Sequence, residues 1–176
     1  MSYFKELKKS MEYLSNNKKV IFLGQAVKYP GTAMSLTLKD VDKKKLLELP
    51  VAEEMQMGIT LGLVMKGYIP ISIFPRWNFL LLSINQLINH LDKLSYMTNN
   101  YYRSKAIIRT SVGSVRPLHP QCQHIGDFSD AITKMLTSVK VVKLKKSNQI
   151  FYEYKKALIR KESTILVEFG DYYNEK

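Results

Sequence analysis

Two groups of polar side chains in the sequence have residue types that could carry chemistry. Glu53 and Glu54 stand where a predicted strand gives way to a predicted helix. A carboxylate there could act as a general acid or base, or could simply face the positive end of the helix dipole. The second group lies in one predicted loop and consists of Arg116, His119 and His124. These side chains could pair with an anion and exchange protons, or could be ordinary polar surface.

Several classes of function have no support in the sequence. It contains no nucleotide-binding glycine loop, no metalloprotease helix and no nucleophile elbow. The single cysteine, Cys122, allows neither an internal disulfide nor a cysteine pair for a metal, so we predict no metal ligands on this chain and a cytoplasmic location. No run of about 20 apolar residues occurs, which predicts the absence of a transmembrane helix.

Composition and charge further restrict the classes of function that the sequence supports. A chain of 176 residues with 45% hydrophobic and 24% charged residues predicts one globular domain. Its 27 Lys and Arg against 15 Asp and Glu give a formal charge of +12, which favours anionic partners. The positive charge and the eleven tyrosines together would suit a nucleic-acid-binding module, in which aromatic rings stack on bases. The basic residues are nevertheless scattered along the sequence and form no nucleic-acid motif, so we expect no nucleic-acid partner.

Hydrophobic periodicity predicts alternating strands and helices. Short apolar runs rich in β-branched residues predict five buried strands, at residues 20–23, 69–74, 106–109, 139–144 and 164–168. Apolar stripes at helical spacing predict amphipathic helices at residues 4–14, 77–94 and 150–158. This order predicts an α/β fold of three layers, in which a mostly parallel sheet is covered by helices on both faces.

Residues 52–66 fit two interpretations. Apolar and polar residues alternate there as in a half-buried strand, but the segment is long for a strand. Gly58 and Gly62 stand four residues apart and would form a groove of small residues on a helix. We therefore predict a helix that packs closely on its glycine face.

The order and spacing of these features resemble a known domain. The features are Leu49-Pro50-Val51-Ala52-Glu53, then Gly58, Gly62, Gly67 and Pro70, and finally Trp77-Asn78-Phe79. They resemble the pyrimidine-binding domain of transketolase-like thiamine diphosphate enzymes, particularly the β subunits of 2-oxo acid dehydrogenases and the C-terminal halves of split transketolases. The strand ending at Gly24, the helix around residues 86–89 and the loop at His124 extend the resemblance over residues 11–168.

The resemblance implies a role for each candidate residue. In the family, the acid at the Glu53 position hydrogen-bonds N1′ of the cofactor's aminopyrimidine and thereby activates the cofactor. The resemblance also implies cofactor contacts at Gly24 and at Phe79, whose ring would stack on the aminopyrimidine. It places His124 at a catalytic position facing the substrate. His119 and Arg116 are weaker substrate candidates, of which Arg116 could pair with a carboxylate or phosphate.

Departures from the family pattern bear on activity and partners. Gln25 stands where many relatives have an acid, and neither Gly126-Asp127-Phe128 nor Gly170-Asp171-Tyr172 completes the Gly-Asp-Gly motif that holds the diphosphate and Mg²⁺. We expect a single pyrimidine-binding domain over residues 1–176, with neither the diphosphate-binding domain nor the family's C-terminal domain. The chain would then be inactive alone.

The predicted assembly follows from this division of the active site. An α-like partner subunit would hold Mg²⁺ and the diphosphate of thiamine diphosphate, around a homo-oligomeric core of this chain. The substrate would be a ketose or a 2-oxo acid. The alternative is a non-catalytic relative that keeps the fold as a structural or regulatory module.

Overall fold

Six parallel strands form one sheet in the computed structural model, which describes residues 2–116 and 119–174. The strands are β1 (Val20–Gly24), β2 (Leu46–Glu48), β3 (Ile69–Ile73), β4 (Ile107–Val112), β5 (Lys140–Lys143) and β6 (Thr164–Phe169). Their order in the sheet is β2-β1-β3-β4-β6-β5. The five predicted strands are confirmed, and so is the α/β fold class. The sequence did not reveal β2, because it is three residues long and only Leu46 is buried.

Helices cover both faces of the sheet. They are α1 (Tyr3–Ser15), α2 (Ala33–Leu36), α3 (Glu53–Met65), α4 (Trp77–Leu80), α5 (Leu94–Met97), α6 (Ser129–Met135) and α7 (Ser147–Ile159). Helices α1 and α7 pack on one face of the sheet, whereas α3, α4, α5 and α6 pack on the other. Neighbouring strand residues divide between the two faces, as Ile107 and Ile108 show. None of the helices in the described part of the chain is long and apolar enough to cross a bilayer.

The segment with two interpretations is helix α3, as predicted, but the expected packing of its glycines is wrong. A Cβ atom added at Gly58 or Gly62 would meet nothing within 4 Å. The helix instead buries the face that carries Met57, Thr60 and Val64. The glycine pattern indicates that a close contact is sterically allowed there, but it does not specify which partner makes it.

The predicted helix over residues 77–94 is a series of shorter helical turns. Helix α4 is followed by a 3₁₀ turn (Leu81–Ser83), a π-helical turn (Gln86–Leu91) and then α5. Leu87 and Leu91 are still fully buried, so the apolar stripe predicted the buried face correctly. A hydrophobic stripe does not distinguish a single 3₁₀ or π-helical turn from an α-helical turn, because the same side chains face the core in each.

The π-helical turn ends next to a buried acid that connects two elements. The carboxylate of Asp92 accepts hydrogen bonds from the backbone N–H groups of residues 137–139, which lead into β5. Burial opposes the ionisation of Asp92, but the ammonium of Lys93 and these N–H groups outweigh it and hold its pKa well below the usual value. Asp92 therefore fixes the start of β5 against the helical layer.

A second buried polar cluster joins the sheet to the layer of α1 and α7. Arg109 in β4 and Glu168 in β6 are both fully buried, and Arg109 Nε donates to Glu168 Oε1 at 2.5 Å. The hydroxyls of Tyr154 and Tyr173 also donate to this carboxylate. Burial raises the pKa of both tyrosines, so they remain neutral donors. The carboxylate thus has a cation and two hydroxyl partners in a site without solvent.

Candidate functional site

The candidate residues lie at the carboxyl edge of the sheet, where the ends of the parallel strands meet. Gly24 is the last residue of β1, and Glu53 begins α3 shortly after β2. Phe79 lies in α4 after β3, and His124 lies in a 3₁₀ turn beyond β4. Ligands of open α/β sheets bind outside this edge. The fold therefore brings four separate parts of the sequence to one side of the molecule.

The structure distinguishes the two neighbouring carboxylates. Glu53 is 8% exposed, and its side chain makes no hydrogen bond with any other described residue. Glu54 is exposed, and its Oε1 accepts a 3.3 Å hydrogen bond from Nε2 of Gln86. The side chain of Glu53 is thus largely covered by the protein, while its carboxyl group is left for water or a ligand to contact. Glu53 is therefore the better candidate for chemistry.

Gln56, one turn after Glu53, anchors the start of α3 to the sheet. Its Nε2 donates to Ser72 Oγ and to the carbonyl oxygen of Ile73, both at 3.0 Å. Gly24 approaches the same carbonyl from β1, with φ of +148°, and a Cβ at Gly24 would lie 2.4 Å from it. Gly24 thus has a packing role in addition to any cofactor contact. The sequence analysis missed Gln56, although its spacing of three residues from Glu53 places both on one helix face.

Phe79 and His124 lie against each other. Their ring centroids are 5.4 Å apart and the rings are inclined by 37°. Arg76 Nη1 donates to the carbonyl oxygen of His124 at 2.7 Å, which fixes the loop beside the end of β3. A Cβ at Gly113 would lie 2.6 Å from the same carbonyl oxygen, so the loop needs a glycine at the end of β4. Nδ1 of His124 is buried and has no partner among the described residues.

A cavity of about 450 Å³ opens at the same edge. Arg76 and Arg116 line it, together with the hydroxyl of Ser111. The structure therefore brings Arg116 to a cationic cavity, but His119 does not line it. The lining of the cavity also does not include the other candidates, which are Gly24, Glu53, Phe79 and His124. That histidine is exposed, and its Nδ1 accepts the backbone N–H of Gln121. The sequence analysis did not single out Arg76. Its position directly after a buried strand and Pro75 could have indicated that it lies at the carboxyl edge of the sheet.

The arrangement suits a flat heteroaromatic ligand together with an acidic one. The free carboxyl of Glu53 can exchange a proton with a ring nitrogen, the ring of Phe79 offers an aromatic face, and the cavity offers guanidinium groups. No group of three His, Cys, Asp or Glu side chains in residues 2–116 and 119–174 could hold a metal ion.

Comparison with known proteins shows what the chain is similar to. No protein-family model matches it. It is 32% identical over 111 residues to the pyruvate dehydrogenase E1 component subunit beta of Gracilaria tenuistipitata var. liui, which covers 61% of this chain and 34% of that protein. It is 26% identical over 117 residues to the 2-oxoisovalerate dehydrogenase subunit beta of Bacillus subtilis (strain 168), with 64% and 36% covered. The chain spans about a third of the length of these curated relatives.

A solved structure has the same fold. It is described as a split gene transketolase, inactive beta4 tetramer, and it superposes with a TM-score of 0.64 at 14% sequence identity. The superposition covers 97% of this chain and 51% of that one. At this identity the superposition establishes the fold, while the E1 β subunits establish the relationship in sequence. The chain is therefore similar in sequence to E1 β subunits and has the fold of a split transketolase, as the predicted resemblance requires.

Proposed function

We propose that this chain is the pyrimidine-binding subunit of a cytoplasmic, heteromeric transketolase-like enzyme that acts on a ketose or a 2-oxo acid. The observation that carries the proposal is Glu53 at the start of α3, a residue that is 8% exposed and whose side chain makes no hydrogen bond with another described residue. The resemblance implies that it corresponds to the acid that contacts the aminopyrimidine in the family. The similarity to E1 β subunits supports the same assignment.

The chemical types of the residues at this edge match the groups that thiamine diphosphate would present to them. Glu53 would share a proton with N1′ of the aminopyrimidine, which would satisfy its unpaired carboxyl. Phe79 would contact the face of the ring, and Gln56 would keep the start of α3 in place through its bond to Ile73. When bound, the cofactor supplies an electron sink that stabilises a carbanion next to a carbonyl group. The side chains of this chain bind it, orient it and exchange a proton with it.

The substrate would occupy the cationic cavity. Arg76 and Arg116 could pair with a phosphate or carboxylate. The carbonyl oxygen of His124 accepts a hydrogen bond from Arg76, which lines this cavity, so His124 would be a neighbour of the substrate. This arrangement supports a ketose phosphate or a 2-oxo acid as substrate without distinguishing between them.

The outer face of α3 would meet the partner subunit. Gly58 and Gly62 leave room for a close helix contact, and the exposed side chains of Met55 and Met65 flank them. An apolar stripe that includes glycines is typical of a packed helix interface rather than of a solvated surface. We propose that an α-like subunit docks here and brings Mg²⁺ and the diphosphate site, around a core of two or more copies of this chain.

Calorimetry tests the split active site directly. Thiamine diphosphate and Mg²⁺ would be titrated into this chain alone and then into its mixture with a candidate diphosphate-binding subunit. We expect binding only in the mixture. Tight binding to the chain alone would contradict the division of the site, and no binding to a verified complex would contradict the cofactor assignment.

Matched variants test the role of Glu53 in the same mixture. Glu53→Gln should lower turnover by about 100-fold or more because it removes the proton exchange, while cofactor binding persists. Glu54→Gln should have little effect, because this exposed carboxylate contacts only Gln86. Equal turnover in the wild type and the Glu53→Gln variant would refute the catalytic role. The non-catalytic module, which the Gln25 departure favours, would then be the better description.

A further inference from the structure

The amino ends of the strands carry a row of cations that the sequence does not reveal as a cluster. All six strands are parallel, so their amino ends lie at the edge of the sheet opposite the candidate site. Basic residues precede five of them: Lys43, Lys44 and Lys45 before β2, Lys18 and Lys19 before β1, Lys66 before β3, Arg103 and Lys105 before β4, and Lys161 before β6. The fold thus collects residues that are scattered along the chain. We call this surface the amino edge.

Few acids oppose these cations. Among the described residues, Lys18, Lys19, Lys66, Arg103 and Lys105 form no ion pair with an Asp or Glu side chain. Burial lowers the pKa of Lys105, and the positive charge of Lys19 lowers it further. The charges of Lys19 and Lys105 therefore repel each other, and neither lysine forms an ion pair with an acid among the described residues. An anion at this surface would relieve their repulsion.

A groove of about 510 Å³ opens on the amino edge. One wall is the end of α3 with Val64 and Met65, and continues to Lys66, Gly67 and Tyr68. The other wall consists of residues 100–103 and Lys105. Tyr101 in this wall is 80% exposed, and its ring packs edge-on against Tyr102 at 4.8 Å. The groove therefore combines apolar, aromatic and cationic groups.

We propose that the amino edge binds an extended acidic segment of a protein partner, whose apolar or aromatic side chain fills the groove. The cations precede five neighbouring strands about 4.8 Å apart, which span about 19 Å. An extended peptide rises about 3.3 Å per residue, and about six residues would cover this distance. Asp and Glu residues along such a segment complement the lysines, while Val64, Met65 and Tyr101 accept an apolar anchor.

The shape of the surface favours this partner over two other polyanions. A bilayer is bound by a broad apolar face of a helix or by several inserted aromatic groups, whereas the apolar groups here border one shallow, open groove. Sequence-specific binding of a DNA duplex uses an element that enters a groove of the DNA, and the amino edge presents strand ends and short loops. The surface lies at the opposite edge from Glu53, so the inference does not depend on the proposed function.

Fluorescence anisotropy tests the inference with the whole chain. The probe is a fluorescein-labelled glutamate-rich peptide with a central phenylalanine, and the comparison peptides replace either the glutamates or the phenylalanine with serine. We expect both replacements to weaken binding. Binding should also weaken as salt rises, since exposed charges are screened over about 10 Å at 0.1 M ionic strength.

Charge variants locate the site. Lys66→Glu/Arg103→Glu should weaken peptide binding by about fivefold or more, and Lys66→Gln/Arg103→Gln by a smaller factor. Lys5→Glu/Lys145→Glu makes the same charge change at exposed residues on other surfaces and should leave binding within about twofold. Thermal unfolding checks that each variant is folded. Equal weakening by both glutamate pairs would show a general charge effect and overturn the proposal.

Competing polyanions complete the test. Oligothymidylate and phosphatidylserine-containing vesicles would be titrated under the same conditions. Weaker binding of both than of the peptide supports the proposal. Tighter binding of either one, lost in the Lys66→Glu/Arg103→Glu variant, would assign the amino edge to nucleic acid or to a membrane surface instead.

Discussion

Replacing Gly24 with alanine should destabilise the chain, whereas the same replacement at Gly58 should stabilise it. At Gly24 the backbone has φ of +148°, and the new Cβ would lie 2.4 Å from the carbonyl oxygen of Ile73. A side chain in such a conformation costs about 1–3 kcal/mol. Overpacking against a neighbouring strand costs about 1–3 kcal/mol more. The expected loss of about 2–6 kcal/mol lowers Tm by at least about 4 °C.

Gly58 is the matched control because it lies within α3 and a Cβ there meets nothing within 4 Å. Alanine is about 0.8–1 kcal/mol better than glycine inside a helix. Tm should therefore rise by about 2–4 °C in the Gly58→Ala variant of the isolated chain. Tm shifts of opposite sign in the two glycine-to-alanine variants would show that the backbone conformation at Gly24 requires glycine. A general effect of replacing glycine with alanine would shift both Tm values in the same direction.

Thermal and urea unfolding, followed by circular dichroism at one protein concentration, measure both changes. A fixed concentration matters because self-association would shift Tm by mass action. The reasoning would be refuted if the Gly24→Ala variant unfolded within about 0.5 kcal/mol of the wild type, which is the usual range for exposed substitutions. It would also be refuted if the two variants shifted Tm in the same direction.

Three further substitutions test buried or partly buried carboxylates. The pKa of Asp92 is lower in the folded than in the unfolded chain, so its ionised carboxylate stabilises the fold above about pH 4, and this stabilisation is lost as the pH falls. Asp92→Asn should therefore lower the free energy of unfolding by about 2–3 kcal/mol at neutral pH. The variant should also show a weaker pH dependence of urea unfolding at acidic pH. Arg109→Met leaves Glu168 buried without its cation and should cost about 3–5 kcal/mol of unfolding free energy, measured with urea. Glu48 accepts three backbone N–H bonds of 2.6–2.9 Å from residues 26–28, so Glu48→Gln should speed hydrogen exchange of these amides.

The sequence was informative wherever apolar residues recur at a regular period. Period and length together predicted the buried strands and the helical nature of α3, because those elements bury a continuous face. The predicted strand at residues 106–109 ended at Arg109. The strand continues to Val112 because Glu168 in β6 neutralises the charge of Arg109 inside the core. A partner distant in sequence by 59 residues cannot be read from local periodicity.

The candidate site shows the same division between local and tertiary information. The spacing around Pro50 placed Glu53 at a helix start, and the structure bears this out. The roles of Arg76 and Gln56 depend on which strand ends adjoin each other, which the sequence alone does not fix. The amino-edge cations were scattered in the sequence and became neighbours only because every strand runs in the same direction. Sequence distance is therefore a poor guide to charge clustering in a parallel sheet.

Helix α3 connects the candidate site with the surface that we propose for the partner subunit. Its start holds Glu53 inside the molecule, while its outer face carries Gly58 and Gly62. Gln56 ties the first turn to Ile73 before any partner is present, so docking on the outer face need not move the carboxyl. The partner would then add the groups that this chain lacks without reshaping the half-site that it has. We therefore expect cofactor affinity in the mixture to follow the occupancy of the complex, because the proposed pyrimidine half-site would need no rearrangement on docking.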